Sequence, residues 1–181
     1  MSTNPRQPIL DFMQSIHSQG VDCQSCVGHC CTSIANSMQI TVQETWDIYS
    51  YLQKNHLMNE ELIQKLKDNV TQFRLDKDLS LGKKSILRRT YTCPFYNGHN
   101  LGCQLPTEIK PYGCLAFNPA TEAVSEVGHC RSEVAALEAC DVQAKARNVE
   151  LQAKLGVTWD KKPIPVALLD FHMRKISVEL H

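Results

Sequence analysis

The stretch CQSCVGHCC, residues 23–31, places four cysteines within nine residues. Such crowding has three possible explanations: disulfide pairing, a redox or nucleophilic thiol, or a metal site built from thiolates. The chain has nine cysteines in all, and an odd number leaves one thiol over from a complete disulfide framework. It begins MSTNPRQPIL, with no basic region leading into an apolar one, so no secretory signal is predicted. We therefore expect a cytoplasmic protein whose thiols are reduced. In a reducing compartment, closely spaced cysteines favour a metal site over disulfides.

The overall composition is that of a globular protein, with 43% hydrophobic and 21% charged residues. The 19 basic and 19 acidic residues balance, so no net field recruits nucleic acid or an anionic membrane. The basic stretch KKSILRR, residues 83–89, is typical of a solvated surface. No window approaches the roughly 18 apolar residues of a membrane span. We predict one domain over residues 1–181, with neither a membrane nor nucleic acid as its partner.

Apolar residues recur at helical spacing in several segments. The predicted helices cover residues 8–19, about 42–55, the segment that follows Asn59, residues 132–155, and a last segment from near Pro165. A capping-box pattern, Thr41 to Glu44, precedes the second helix, and Gly156 ends the fourth. Weak alternation in SILRRTYT, residues 85–92, indicates a short strand. The predicted fold is mainly α: a small helical domain packed around a cysteine-rich, loop-built metal centre, with one short strand pair as an option.

Proline and glycine interrupt the chain throughout residues 93–130, so that no long periodic run fits between them. A loop of this length is uncommon in a compact domain unless something else organises it. A metal would do so. We therefore expect a metal-binding core over about residues 21–131 and a helical C-terminal part over residues 132–181.

The spacing of the first cysteines is typical of metal ligands. Cys23 and Cys26 form a knuckle in which two thiolates face one ion, and Cys30 follows one turn later. Cys31 is the direct neighbour of Cys30, and adjacent side chains usually diverge, so the pair serves two sites or sends one thiol into the core. Cys140, inside a predicted helix, is interpreted as a core thiol.

The identity of the metal stays open at this point. Zinc needs four ligands and usually a second knuckle, which this sequence lacks, whereas an iron–sulfur cluster accepts thiols from widely separated loops. Copper(I) also suits thiolates. His29, His99 and His129 each follow a glycine near a cysteine. Each could be a metal ligand, a hydrogen-bond donor to a ligating sulfur, or an exposed loop residue.

The order of CQSCVGHCC, CPFYNGHNLGC and KPYGC resembles the YkgJ-type cysteine-cluster family, a zinc- or iron-chelating domain that opens with a CxxCxxxCC motif. The resemblance spans residues 21–131 and departs from the family at Lys110, where arginine is usual, and at Leu115, where a basic residue is usual. The tyrosine expected before this cysteine motif is also absent. Lys110 still offers a positive charge to an anionic site. The metal ligands that the resemblance implies are Cys23, Cys26, Cys30, Cys31, Cys93, Cys103, Cys114 and Cys130.

Three functions follow as hypotheses. The first is a metal-binding protein that chelates zinc or an iron–sulfur cluster, with a structural, accessory or metal-handling role and a protein partner. The second is a cluster-dependent redox or protein-modifying enzyme. Methyl transfer belongs here, because a flagellin lysine methylase has a similar cysteine cluster, although no glycine-rich motif for S-adenosylmethionine is present. The third is a disulfide scaffold without metal.

Overall fold

The computed structural model describes residues 4, 6–17, 28–77, 88–98, 102–119, 130–174 and 176, with the backbone alone at residues 16–17, 29, 118–119 and 130–131. The helices are α1 Gln7–His17, α2 Val42–Lys54, α3 Glu60–Phe73, α4 Tyr112–Ala116, α5 Val134–Leu155 and α6 Ile164–Met173, with 3₁₀ turns at His29–Cys31 and Thr107–Ile109. The fold is mainly helical, as predicted.

Four short strands form two antiparallel pairs within the described residues. Strand β1, Gln39–Thr41, pairs with β4, Lys161–Pro163, and strand β2, Phe117–Pro119, pairs with β3, Cys130–Ser132. The sequence predicted one optional pair and placed a strand at residues 85–92. That prediction is wrong for residues 88–92, which form no strand, while residues 85–87 lie outside the described part. Tyr91 is held in place by individual hydrogen bonds and not by strand pairing. Its backbone N–H donates to the Asn36 carbonyl, and its hydroxyl donates to the Met38 carbonyl.

The start of α2 confirms the predicted capping box. The Thr41 hydroxyl accepts a hydrogen bond from the Glu44 backbone N–H, and the Glu44 carboxylate accepts one from the Thr41 backbone N–H at 2.7 Å. The two side chains thereby satisfy donors that the first helical turn leaves without partners. At α3 the Asn59 side chain accepts from the Leu62 N–H, which confirms the second predicted cap.

The remaining helices also match the sequence prediction closely. Helix α1 confirms the predicted helix as far as His17, and residues 18–19 lie outside the described part. Helix α5 begins two residues later than expected and ends where Gly156 adopts a left-handed conformation. Helix α6 begins at Ile164, with Pro165 in its first turn. None of the helices that the structure describes is long and apolar enough to cross a bilayer.

Two groups of buried apolar side chains hold these elements together. The larger lies among α2, α3 and α6, where Tyr49 and Phe171 meet edge to face with ring centroids 5.8 Å apart. The smaller joins α1, α4 and α5 through residues such as Ile9, Leu115 and Cys140. Burial of this apolar surface supplies the main favourable free energy of folding. The candidate site described next is lined by residues from both groups.

The Gly156 cap of α5 permits a test of backbone strain alone. Its φ is +63°, and a Cβ added there would meet no atom within 4 Å. We expect Gly156→Ala to lower the free energy of unfolding by about 1 kcal/mol, because a left-handed conformation costs an ordinary residue about that much. Urea unfolding measures the loss. Gly156→Asn is the control and should recover part of it, since asparagine tolerates this conformation. Equal stability of the alanine variant and the wild type would contradict the prediction.

Candidate metal centre

Five cysteine side chains from separate parts of the chain line one cavity of about 320 Å³. These are Cys30, Cys31, Cys93, Cys103 and Cys114. Of the other predicted ligands, Cys23 and Cys26 lie outside the described residues, and Cys130 is described by its backbone alone, in β3. Every cysteine with a described side chain is a free thiol.

Gly28 shapes the turn that carries Cys30 and Cys31. Its φ is +72°, and a Cβ at this position would collide with the Tyr96 ring, so only glycine fits. The Gly28 carbonyl accepts from the Cys31 N–H at 2.8 Å, and the Cys31 carbonyl accepts from the Cys93 N–H at 2.7 Å. The first cysteine cluster is therefore joined to the Cys-Pro element by direct backbone hydrogen bonding.

The side chains of Cys30 and Cys31 point to the same cavity, and their sulfur atoms are 4.0 Å apart. The sequence left open whether the pair serves two sites or sends one thiol into the core. Both thiols line this one cavity, and Cys31 also packs against the larger apolar group. The pair lies in the 3₁₀ turn His29–Cys31.

A compact loop brings Cys93 and Cys103 together. Tyr96 and Cys103 form an isolated antiparallel bridge, and the Gln104 N–H donates to the Phe95 carbonyl at 2.9 Å. These contacts pair the chain on either side of residues 99–101, which lie outside the described part. They help to place two cysteines ten residues apart at the same cavity.

Glu44 positions the turn that carries Cys114. One carboxylate oxygen accepts from the Tyr112 N–H at 2.8 Å, and the other accepts from the N–H and hydroxyl of Thr41. The Cys114 N–H in turn donates to the Pro111 carbonyl. Sequence reasoning identified Glu44 only as a helix cap, because nothing local shows that it also bonds to a residue 68 positions away.

Lys110 is a buried cation at the cavity, which Arg88 and Lys161 also line. It is 9% exposed and lines the cavity with the cysteines. Its charge lowers the pKa of Cys30 and of Cys103, although larger effects act on both thiols. Its backbone carbonyl accepts from the buried Arg6 Nε at 3.2 Å, which fixes the chain at this point. This placement agrees with the predicted role of Lys110 as a charge partner.

The thiols differ in how readily they ionise. The hydrogen bond from Cys31 lowers the pKa of Cys30 to about 7, against the opposing effect of burial. The same bond, together with burial, raises the pKa of Cys31. Burial raises the pKa of Cys93 to about 12 and also raises the pKa of Cys103 and of Cys114. A metal bound here would have to displace protons from most of these thiols.

The five cavity cysteines line the cavity but do not converge on one point. Within the described ranges, no three His, Cys, Asp or Glu side chains come close enough to hold one ion. Cys140 does not line the cavity and is fully buried in the smaller apolar group, which agrees with its interpretation as a core thiol. The side chain of His29 and the whole of His99 and His129 lie outside the described part.

The burial of Glu44 makes a pH dependence of stability testable. Burial raises the pKa of Glu44 above its ordinary value of 4.5, while hydrogen bonds from Thr41 and Tyr112 lower it. Because the folded state then binds the proton more tightly than the unfolded chain, this contribution to stability is complete below the unfolded pKa and is lost as the pH rises through the folded pKa. We expect the unfolding free energy of the wild type, relative to Glu44→Gln, to increase on acidification from about pH 7 towards pH 4.5.

Urea unfolding at a series of pH values measures this difference. Glutamine has the shape of glutamate but does not titrate, so pH effects that the two proteins share cancel. A difference that stays constant, or that increases with pH, would contradict the prediction.

Comparison of the chain with protein-family models, with curated proteins and with solved structures finds no match. The resemblance to the YkgJ-type family accordingly remains a prediction from the order of the cysteine motifs.

Proposed function

We propose that this protein is a cytoplasmic metal-binding protein that chelates zinc or an iron–sulfur cluster through clustered thiolates. Its role would be structural, accessory or metal-handling, in concert with a protein partner. The observation that carries the proposal is that five cysteines, distant in sequence, line a single cavity.

The donor set fits these metals chemically. Thiolates are the soft ligands that zinc and iron–sulfur clusters prefer. The residues that would hold the metal are drawn from the five cavity cysteines together with Cys23, Cys26 and Cys130. Two thiolates on one tetrahedral zinc ion stand about 3.8 Å apart, given a zinc–sulfur bond of about 2.3 Å. The 4.0 Å between the sulfurs of Cys30 and Cys31 is close to this separation.

The charge at the site supports the same proposal. A divalent ion held by four thiolates carries a net negative charge, which is costly to bury without a counter-charge. Lys110 supplies a nearby positive charge inside the cavity wall. The site therefore combines anionic ligands with a cation positioned to offset them.

Metal analysis of protein purified without oxygen tests the proposal and separates its two forms. We would record the visible spectrum and quantify iron, acid-labile sulfide, zinc and copper per chain. A brown protein with iron and sulfide in equal amounts supports an iron–sulfur cluster. A colourless protein with stoichiometric zinc supports a zinc site with thiolate ligands. Protein that holds no metal, and takes up none when reduced and supplied with zinc or with iron and sulfide, overturns the proposal.

A second candidate is a cluster-dependent redox or protein-modifying enzyme. The observation in its favour is that residues other than the cysteines also line the cavity, among them Met38, Phe117, Leu137 and the ion-paired Lys161 and Asp141. Its volume of about 320 Å³ lies within the range of small-molecule sites. A cluster that accepts electrons and changes its electron paramagnetic resonance spectrum when an added ligand binds would favour this candidate. A cluster or ion inert to both treatments would exclude it.

A further inference from the structure

The cavity has more cysteines than one tetrahedral ion requires, and two of them, Cys30 and Cys31, are neighbours in the chain. A tetrahedral ion needs four ligands, and the cavity alone is lined by five cysteines. The sulfurs of this neighbouring pair are in contact at 4.0 Å, and both residues are half-buried rather than enclosed. The pair can therefore react together from within the open cavity.

We propose that Cys30 and Cys31 close reversibly into a disulfide with each other, and that this closure releases the metal. The inference rests on the proposed function, since it assigns a redox control to the same site. The site then holds its metal when the pair is reduced and loses it when the pair is oxidised.

The geometry favours closure and reversal alike. The two sulfurs have to approach from 4.0 Å to the bonding distance of about 2.05 Å, a shift that side-chain rotation and a small adjustment of the turn can supply. Neighbouring Cα atoms are only about 3.8 Å apart, below the usual Cα separation across a disulfide. The closed ring is therefore strained, and strained disulfides are the easily reduced, regulatory ones.

The reaction balances with a low-molecular-weight disulfide, such as glutathione disulfide, as the oxidant. The Cys30 thiolate attacks one sulfur of the oxidant, forms a mixed disulfide and expels one glutathione thiolate. The Cys31 thiolate then attacks the Cys30 sulfur and expels the second glutathione thiolate. Two cysteine sulfurs lose two electrons and the oxidant's sulfur–sulfur bond gains them. A metal held by both thiolates would lose two ligands to this disulfide, and a chelator in solution would bind it.

The other cysteines around the cavity are less suited to this reaction. Cys93 is buried, with 8% of its surface exposed. Cys103 lies on a different segment, which is paired with Tyr96 by an antiparallel bridge. Cys114 is held in α4 by the contact of that helix with Glu44. Pairing any of these would require movement of separate chain segments, whereas Cys30 and Cys31 share one turn.

The test begins with the reduced full-length chain, whose metal content is measured first and reports on the proposed function alone. The metal-loaded protein is then placed in glutathione buffers of increasing oxidised fraction. A chromophoric chelator follows metal release, and alkylation with peptide mass spectrometry locates the disulfide. We expect release to follow formation of a disulfide that fragmentation of the peptide assigns to Cys30 and Cys31, because the same tryptic peptide also contains Cys23 and Cys26. Dithiothreitol with added metal should restore the starting content.

Two variants sharpen the test. Cys31→Ser should form no disulfide between Cys30 and another cysteine of the chain and should instead retain glutathione on Cys30, a mass readout that does not depend on metal content. Cys140→Ser, which removes a buried thiol away from the cavity, should release metal as the wild type does. Oxidation that joins other cysteines, or closure of the pair without metal loss, overturns the switch and leaves the metal site standing. Absence of metal from the reduced, reconstituted protein overturns both.

Discussion

Replacing Cys93 and Cys114 with serine in one variant is expected to weaken metal binding more than about 100-fold, because even the loss of an outer hydrogen-bond partner costs a metal site 10–100-fold. Both cysteines line the cavity, and they come from different segments of the chain. Serine occupies nearly the same space, but its hydroxyl stays protonated and is a hard donor that suits these metals poorly. Competition with a chromophoric chelator measures the affinity, and metal analysis measures the content.

The matched control is Cys140→Ser, which exchanges the same atoms at a fully buried position outside the cavity. It should lose some stability and keep the metal. Far-ultraviolet circular dichroism of each variant shows whether the helices persist, since metal binding and folding are coupled in such sites. Equal metal affinity in the double variant and the control would contradict the assignment of the cavity as the metal centre.

Replacing Arg6 with methionine is expected to lower the free energy of unfolding by about 3 kcal/mol, the lower end for buried pairs, since removing one member of a partly buried ion pair leaves the other charge uncompensated. Arg6 is 4% exposed and forms a 2.6 Å ion pair with Asp47 of α2. Its guanidinium also lies 4.9 Å from the ring centroid of Tyr112 and donates to the Lys110 carbonyl. One side chain thus joins the start of α1 to α2 and to the segment that carries Lys110 and Cys114.

A double-mutant cycle with Asp47→Asn separates the ion pair from the other contacts of Arg6. The comparison variant is Lys161→Met, which breaks the exposed pair with Asp141 at 3.2 Å. That change should cost no more than about 1 kcal/mol, as is usual for an ion pair at the surface. Urea unfolding measures the free energy of unfolding of each variant. An equally small loss for Arg6→Met and Lys161→Met would contradict a stabilising role of the Arg6 contacts.

The Arg6 variant also connects stability to the site. Without the bond from Arg6 to the Lys110 carbonyl, the segment from Lys110 to Tyr112 keeps the Glu44 anchor but loses its fixation to α1. Stabilising contacts of this kind, made by residues that touch no metal, govern how closely ligands are held in place. This role of Arg6 could not be predicted, because an isolated arginine forms no local pattern with its neighbours in the sequence.

Local features of the sequence determined most of the helices. The capping box at Thr41, the cap at Asn59 and the glycine stop at Gly156 each act within about one helical turn, so their effect can be predicted from neighbours alone. Helical periodicity placed the buried faces for the same reason. The prediction of a strand at residues 85–92 was wrong for residues 88–92, the part that the structure describes, since a strand needs a partner, and partners depend on contacts distant in sequence.

The spacing of the cysteines also indicated which thiols are candidates for a metal site, and that Cys140 is a core residue or a spare thiol. Three facts became visible only in the folded chain: Cys30, Cys93 and Cys114 border one cavity, Lys110 is buried beside them, and Glu44 joins a helix cap to the turn of a distant cysteine. These facts depend on how α1, α2 and the loop of residues 93–111 pack together. Packing is set by the combined burial of many side chains, and no single motif in the sequence encodes it.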